Sequence, residues 1–180
     1  MDKVIEQSRQ DGAGDQMKTA LLGAAAGIVG VVVLDRVDWF LFDREDAATR
    51  ERTKQVRPEG KPPADVLVER VSDAVGTEPD ETRKQTLGQV THYAIGTAPA
   101  VAYALLRDKL PGQGVPRGLL FGLGLFLTQD EVLNTVTGLG AKPQEYPWQD
   151  HARGLAAHLA FGVATEFALT AAEKKLARRG

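Results

Sequence analysis

The segment "GLLFGLGLFLTQDEVLNTVTGLG", Gly118–Gly140, decides how the chain is read. Leu, Phe, Val and Gly dominate its first half, the composition of a membrane span or a deep core. Its centre carries Gln129, Asp130, Glu131 and Asn134. A helix on the surface of a soluble domain shows polar residues on every turn, and a helix facing lipid all round shows none. A polar island inside an apolar helix fits a third case, in which the ionisable groups face a protein interior or a wet cavity.

Three other apolar blocks accompany it. The first is Thr19–Phe42, "TALLGAAAGIVGVVVLDRVDWFLF". Its charge-free run, Leu21 to Leu34, covers only about two-thirds of the roughly 20 residues of a span, but apolar character resumes after Asp38 with Trp39 to Phe42. The second, Thr86–Leu106, has no Asp, Glu, Lys or Arg and is long enough to cross a bilayer; Pro99 inside it predicts a kink. The fourth, Ala152–Ala172, is interrupted by Arg153, His158 and Glu166. Gly in a water-soluble helix costs about 1 kcal/mol against Ala, whereas small residues let membrane helices approach closely. The Gly23/Gly27 spacing therefore leans toward a membrane setting.

Between the first two blocks lies a polar insert, Asp43–Gln85. Pro62 and Pro63 open a helix there, Val66, Val68, Val71 and Val75 fall near one face, and Gly76 is a stop. Thr77 and Asp80 are both candidate caps of the next helix. Met1–Gln16 is polar and reads as an amphipathic or frayed helix without the layout of a secretory signal. Counting Lys and Arg in short loops places both termini and the second link, with Arg107, Lys109 and Arg117, on the cytoplasmic side. In the third link, Tyr146 and Trp148 suit an interfacial anchor, and Trp39 belongs at the same boundary.

The chain has 180 residues, which suits one domain, and a net charge of -2 with a pI of about 5.9. No basic excess points to nucleic acid. There is no cysteine, hence no disulfide or thiolate metal site. Aromatics at 6% weigh against an all-β fold. The mean hydropathy of -0.22 averages over alternating apolar and charged blocks. The only serines are Ser8 and Ser72, with no nucleophile elbow and no phosphate-binding loop, so no enzymatic chemistry is expected.

The ionisable and polar residues inside the blocks form the candidate site: Asp35, His92, Asp130, Glu131, Asn134, His158 and Glu166. Asp130 and Glu131 each share a surface with Asn134. Asp130 and Glu131 themselves stand about 100° apart on an α-helix and are expected to face different neighbours. His151, His158 and Thr165 recur two turns apart as one stripe, with Glu166 beside it. Three readings stay open. The residues could form a hydrogen-bonded network that fixes helix register, with Arg36 or Arg153 as neutralising partner; a proton or ion site; or a metal centre. The last lacks the Glu-x-x-His motif of di-metal bundles, so no metal or other cofactor is expected.

The second half has a recognisable order: "HYAIGTAPAVAYALLR", then "GLLFGLGLFLTQDEVLNTVTGLGAKPQEYPW", then "HARGLAAHLAFGVATE". It resembles the YagU-like family of small bacterial inner-membrane proteins at His92, Tyr93, Asp130, Glu131, Gly138, Leu139, Tyr146, Pro147, His151, His158, Gly162, Thr165 and Glu166. Thr19 to Glu173 is covered, most specifically after Gln85, and Pro99 departs from the family pattern. The resemblance implies a four-helix membrane fold and no established enzymatic activity.

The expectation is thus an all-α, four-transmembrane-helix bundle, a single domain over 1–180, with helices about 19–42, 86–107, 117–138 and 152–173 and an amphipathic helix in the first loop. Its setting is the bacterial inner membrane and its partners are the lipid bilayer and a second copy or another membrane protein. Its role is non-enzymatic and tied to envelope or pH stress. A proton or ion pathway through the cluster is the alternative, and a soluble all-α domain the remaining one.

Overall fold

The structure, a computed structural model, describes the backbone of residues 2–178 and the side chains of residues 12–178. The expected character of Met1–Gln16 lies outside the described side chains for residues 1–11. Among the described residues the protein is helical without a strand. Six helices follow in order: α1 (Asp2–Phe42), α2 (Ala47–Val56), α3 (Pro63–Val75), α4 (Glu81–Leu106), α5 (Val115–Leu125) and α6 (Trp148–Ala177). α5 runs straight on as a π-helical segment, Phe126–Leu133, and a last turn, Asn134–Val136.

The four long elements run antiparallel. α1 packs against both α4 and α6, and α5 packs against α6. Glycine sets these approaches. A Cβ on Gly23 would stand 2.7 Å from the Ala104 Cβ, and one on Gly27 2.7 Å from the Ala100 Cβ, so the GxxxG pair seats α1 directly on α4. A second such pair, Gly118 and Gly122, meets the backbone of α6 around Gly162. α4 and α5 meet through side chains: Tyr103 stacks on Phe121 at 4.0 Å between ring centroids.

Large and small residues are distributed in an uncommon way. The buried core holds Ala26, Ala100, Ala104 and Ala157 beside Val31, Tyr103, Leu125, Phe161 and Leu169. Leu21, Ile28 and Val29 of α1, Leu87 and Val90 of α4, Leu120 and Leu127 of the α5 rod, and Phe167 of α6 are exposed. Two helices are long and apolar enough to cross a membrane, Gly12–Phe42 and Trp148–Ala177, and only 28% and 39% of their apolar windows are buried. A core helix of a soluble domain is mostly covered; these are not.

Pro99 does not end α4, which is continuous from Glu81 to Leu106. Proline removes the N–H that would bond the carbonyl of Ile95, and Gln129 Nε2 from the π segment donates to that carbonyl instead, at 3.3 Å.

The insert folds onto one end of the bundle. Asp46 caps α2 by accepting the Thr49 N–H at 2.9 Å, and these bonds hold its carboxyl below the usual range. Pro63 opens α3, and Gly76, at φ 69°, stops it. Asp80, not Thr77, caps α4, accepting from the Arg83 N–H. Arg70 donates to the carbonyls of Thr137 and Gly138 at 2.7 Å each, tying α3 to the end of the α5 rod. The expected valine face of α3 divides: Val66 and Val68 are buried, Val71 and Val75 exposed.

Candidate functional site

All three histidines of the chain lie in the half of the bundle that joins the insert and the third link, and each meets one carboxylate from another helix. His92 of α4 contacts Asp35 of α1 at 2.8 Å. His158 of α6 stands 3.5 Å from Asp130, and His151 of α6 stands 2.6 Å from Glu131. Asp130 and Glu131 thus reach the same helix, against the expectation that they face different neighbours. The π-helical turn explains the difference. Asn134 N–H donates to the Gln129 carbonyl, five residues back, so the turn is wider than in an α-helix and the angular step between neighbours smaller. Glu131, longer by one methylene, bends toward the link, while Asp130 turns the other way along α6.

The rings of His158 and His151 are each oriented by a second contact. His158 Nδ1 lies 2.9 Å from the Gly154 carbonyl; a carbonyl only accepts, so Nδ1 carries the hydrogen, and Asp130 is the longer partner of the same N–H. Phe126 packs against the ring at 5.9 Å. For His151, Nε2 lies 2.9 Å from the Pro143 carbonyl and Nδ1 faces Glu131. Both ring nitrogens therefore point at acceptors. Tyr146 presents its ring edgewise to His151 and accepts the Ala141 N–H through its hydroxyl, so it turns inward. Trp39 and Trp148 are exposed at this same end.

A pocket of about 120 Å³ opens here, lined by Asp130, Glu131, Asn134 and His151 with Phe126, Pro63, Pro143 and Arg57 among its walls. That volume has room for several waters and is smaller than the range of drug-sized ligand sites. Asn134, placed by sequence beside the acids, lines it. Among the described residues no group of three His, Asp or Glu could hold a metal ion.

Beneath the pocket sits a charged hub that the sequence indicated only in part. Arg153, 5% exposed, donates to Asp38 at 2.9 Å and Glu45 at 2.5 Å, and also to Asp150. Arg36, the other candidate neutraliser, is exposed.

Glu166 does not join the histidines. It lies toward the opposite end, 1% exposed, where its Oε2 accepts from the Tyr103 hydroxyl at 2.7 Å and from Arg107 at 3.4 Å. Its Oε1 accepts from Arg117 at 2.8 Å. Arg107 also donates to Glu173, at 2.6 Å. Arg107 and Arg117 flank apolar blocks and look like loop charges in the sequence, yet both fold inward. Between this network and the Asp130–His158 pair lies an apolar layer of Val31, Ala100, Leu125 and Phe161. The residues proposed from sequence as one cluster therefore occupy separate places: Asp35 with His92, Asp130 with His158, Glu131 with His151 beside Asn134, and Glu166 with two arginines. The signal for the second site was the arginine pair bracketing the short second link. No family model, no curated protein and no solved structure matches the chain.

Proposed function

We propose that the chain is a multi-pass membrane protein of non-enzymatic role, with α1, α4, the α5 rod and α6 as four antiparallel spans in a bacterial inner membrane. The observation that carries this reading is the pairing of glycine and alanine at the closest helix contacts with large apolar side chains exposed on all four elements, in addition to those buried between them. Soluble monomers rarely expose contiguous apolar patches beyond a few hundred Å², and close glycine contacts are how membrane helices associate. α4, with 26 residues, is about 39 Å long at 1.5 Å per residue, enough for a roughly 30 Å hydrocarbon core. The resemblance to the YagU-like family belongs to the same proposal and rests on the sequence pattern. The histidine–carboxylate end, open to solvent at one membrane face, supports a role under pH or envelope stress.

The test is extraction. The protein is expected in the membrane fraction, released by detergent and retained after alkaline carbonate; a monomer soluble without detergent overturns the reading. A proton or ion pathway is the second reading, favoured by the pocket and by two buried threonine hydroxyls on the long elements, Thr97 and Thr165, which find no partner among the described residues. The apolar layer between the two polar sites weighs against it. Proteoliposomes containing the parent, Asp130→Asn or Glu131→Gln separate the cases: flux in the parent that is lost in either variant supports a pathway, and no flux in the parent excludes it.

A further inference from the structure

The pocket beside His151 holds two polar side chains that the protein leaves free. Asp130 has only the long contact, 3.5 Å, with the His158 N–H, which is directed at the Gly154 carbonyl at 2.9 Å. The Asn134 side-chain amide finds no hydrogen-bond partner among the described residues. Both line the cavity, four residues apart on the same rod. Asp130 is enclosed by protein on its other sides, so its unused oxygens open into the cavity. Wide turns of this kind recur at functional sites.

The charge around the cavity is unbalanced. Asp130, Glu131 and Asp150 line it, and Asp38 and Glu45 belong to the hub beneath. Among the described residues their salt-bridge partners are Arg57, Arg153, His151 and His158. Five carboxylates thus face two guanidiniums and two imidazoles, an excess of negative charge even with both rings protonated. The buried Glu45 Oε2 has no hydrogen-bond partner among the described residues. Asp150 is taken by Arg153 and Arg57, so the charge open to a ligand is that of Asp130.

We propose that this cavity binds a small primary ammonium compound, its charged head on Asp130 and Asn134 and its short alkyl part against Phe126, Pro63 and Pro143. A bare divalent ion takes six or more oxygens, and among the described residues no group of three His, Asp or Glu could hold a metal. An ammonium head needs only three acceptors. Asp130, the Asn134 carbonyl oxygen and the second oxygen of Glu131, whose first is held by His151, supply them. The Phe126 ring in the wall favours a cation over a neutral group. At roughly 30 Å³ for each water-sized group, about 120 Å³ has room for a head and a two- or three-carbon chain. The site needs no route through the apolar layer, so it stands apart from the ion-pathway and membrane readings.

The test is calorimetric titration of the purified full-length chain in detergent with ethylammonium chloride, beside sodium chloride and tetraethylammonium chloride. One ethylammonium per chain is expected to bind saturably, without displacement by either comparison salt at equal concentration. Asp130→Asn keeps the shape, removes the charge and should weaken binding at least about tenfold. Glu173→Gln, at the opposite end of the bundle, should leave it unchanged. In the unsubstituted chain the Asn134 side-chain amide resonance should shift with the same saturation, a readout independent of how any variant folds. No saturation by about 100 mM, displacement by sodium or tetraethylammonium, or an Asn134 resonance that stays fixed each overturns the proposal. So does an affinity unchanged by Asp130→Asn or equally weakened by Glu173→Gln.

Discussion

Placing one methyl group at Gly162 tests the close seating of α5 on α6. A Cβ there would meet the Gly118 carbonyl oxygen first, and would stand 2.6 Å from the Gly122 nitrogen and 2.9 Å from the Gly122 Cα, where ordinary contact begins at 3.4 Å. Against Gly122 the shortfall is about 0.5–0.8 Å and against the Gly118 oxygen it is larger, and the obstruction is backbone, which cannot rotate away. A gap of this size forfeits a quarter to a half of each dispersion contact it opens, and overpacking a fitted interface costs about 1–3 kcal/mol. Against this, alanine gains up to about 1 kcal/mol in helix propensity over glycine. Gly162→Ala is therefore expected to lose up to about 2 kcal/mol. Gly122→Ala should behave alike, since its Cβ would meet the His158 carbonyl oxygen first and stand 2.9 Å from the Leu159 Cα. Gly124, on the same helix as Gly122, has nothing within 4 Å of an added Cβ, so Gly124→Ala should be neutral or gain up to about 1 kcal/mol. Unfolding in mixed micelles with increasing sodium dodecyl sulfate, followed by circular dichroism, ranks the three. Equal stability of Gly162→Ala and Gly124→Ala would show that α5 and α6 are not seated backbone to backbone at Gly162.

Other expectations follow from the polar contacts. Glu166→Ala leaves Arg107 and Arg117 buried without their shared carboxylate, and a loss of about 3–5 kcal/mol is expected in the same titration; a loss under 1 kcal/mol would contradict the buried network. Gln129→Leu strips the Ile95 carbonyl of its donor and should cost about 1 kcal/mol. In Pro99→Ala the restored N–H takes over that bond, so Gln129→Leu should then cost little, and a double-mutant cycle showing no coupling would disprove the compensation. Arg70→Ala removes two bonds to the end of the α5 rod, and backbone amides from Gly138 to Ala141 should exchange hydrogen faster while those of α6 do not.

Much of this architecture is legible in residue spacing. The four apolar blocks fall on the four long helices, Pro63 and Gly76 bound α3, and Gly23/Gly27 mark the α1–α4 contact. The "GLLFG" pair, Gly118 and Gly122, carries the same signal for α5–α6. The π turn escapes such a reading, because hydrophobic period cannot distinguish a wide turn from an α-helical one over eight residues. That single feature brings Asp130 and Glu131 onto one partner helix and places Gln129 at the carbonyl freed by Pro99. The direction of Arg107 and Arg117 escapes it too. Charges beside a short link read as solvated, and only the position of Glu166 across the bundle turns them inward. Glu166 and His158 share a helix stripe, but two turns of α6 put Phe161 between them, so sequence proximity on a face did not become one site.

The proposal that all four antiparallel elements stand in lipid is open to test by single cysteines, because the chain contains none of its own. Val29→Cys on α1, Val90→Cys on α4, Leu120→Cys on α5 and Phe167→Cys on α6 replace outward apolar side chains, exposed by 47%, 59%, 52% and 56%. Each variant, in proteoliposomes, is treated with a charged maleimide before and after solubilisation in sodium dodecyl sulfate. All four are expected to be unreactive in the bilayer and to label fully once solubilised. Rapid labelling of Val90→Cys and Leu120→Cys in the intact proteoliposome, with the other two protected, would contradict it and leave a protein of two spans.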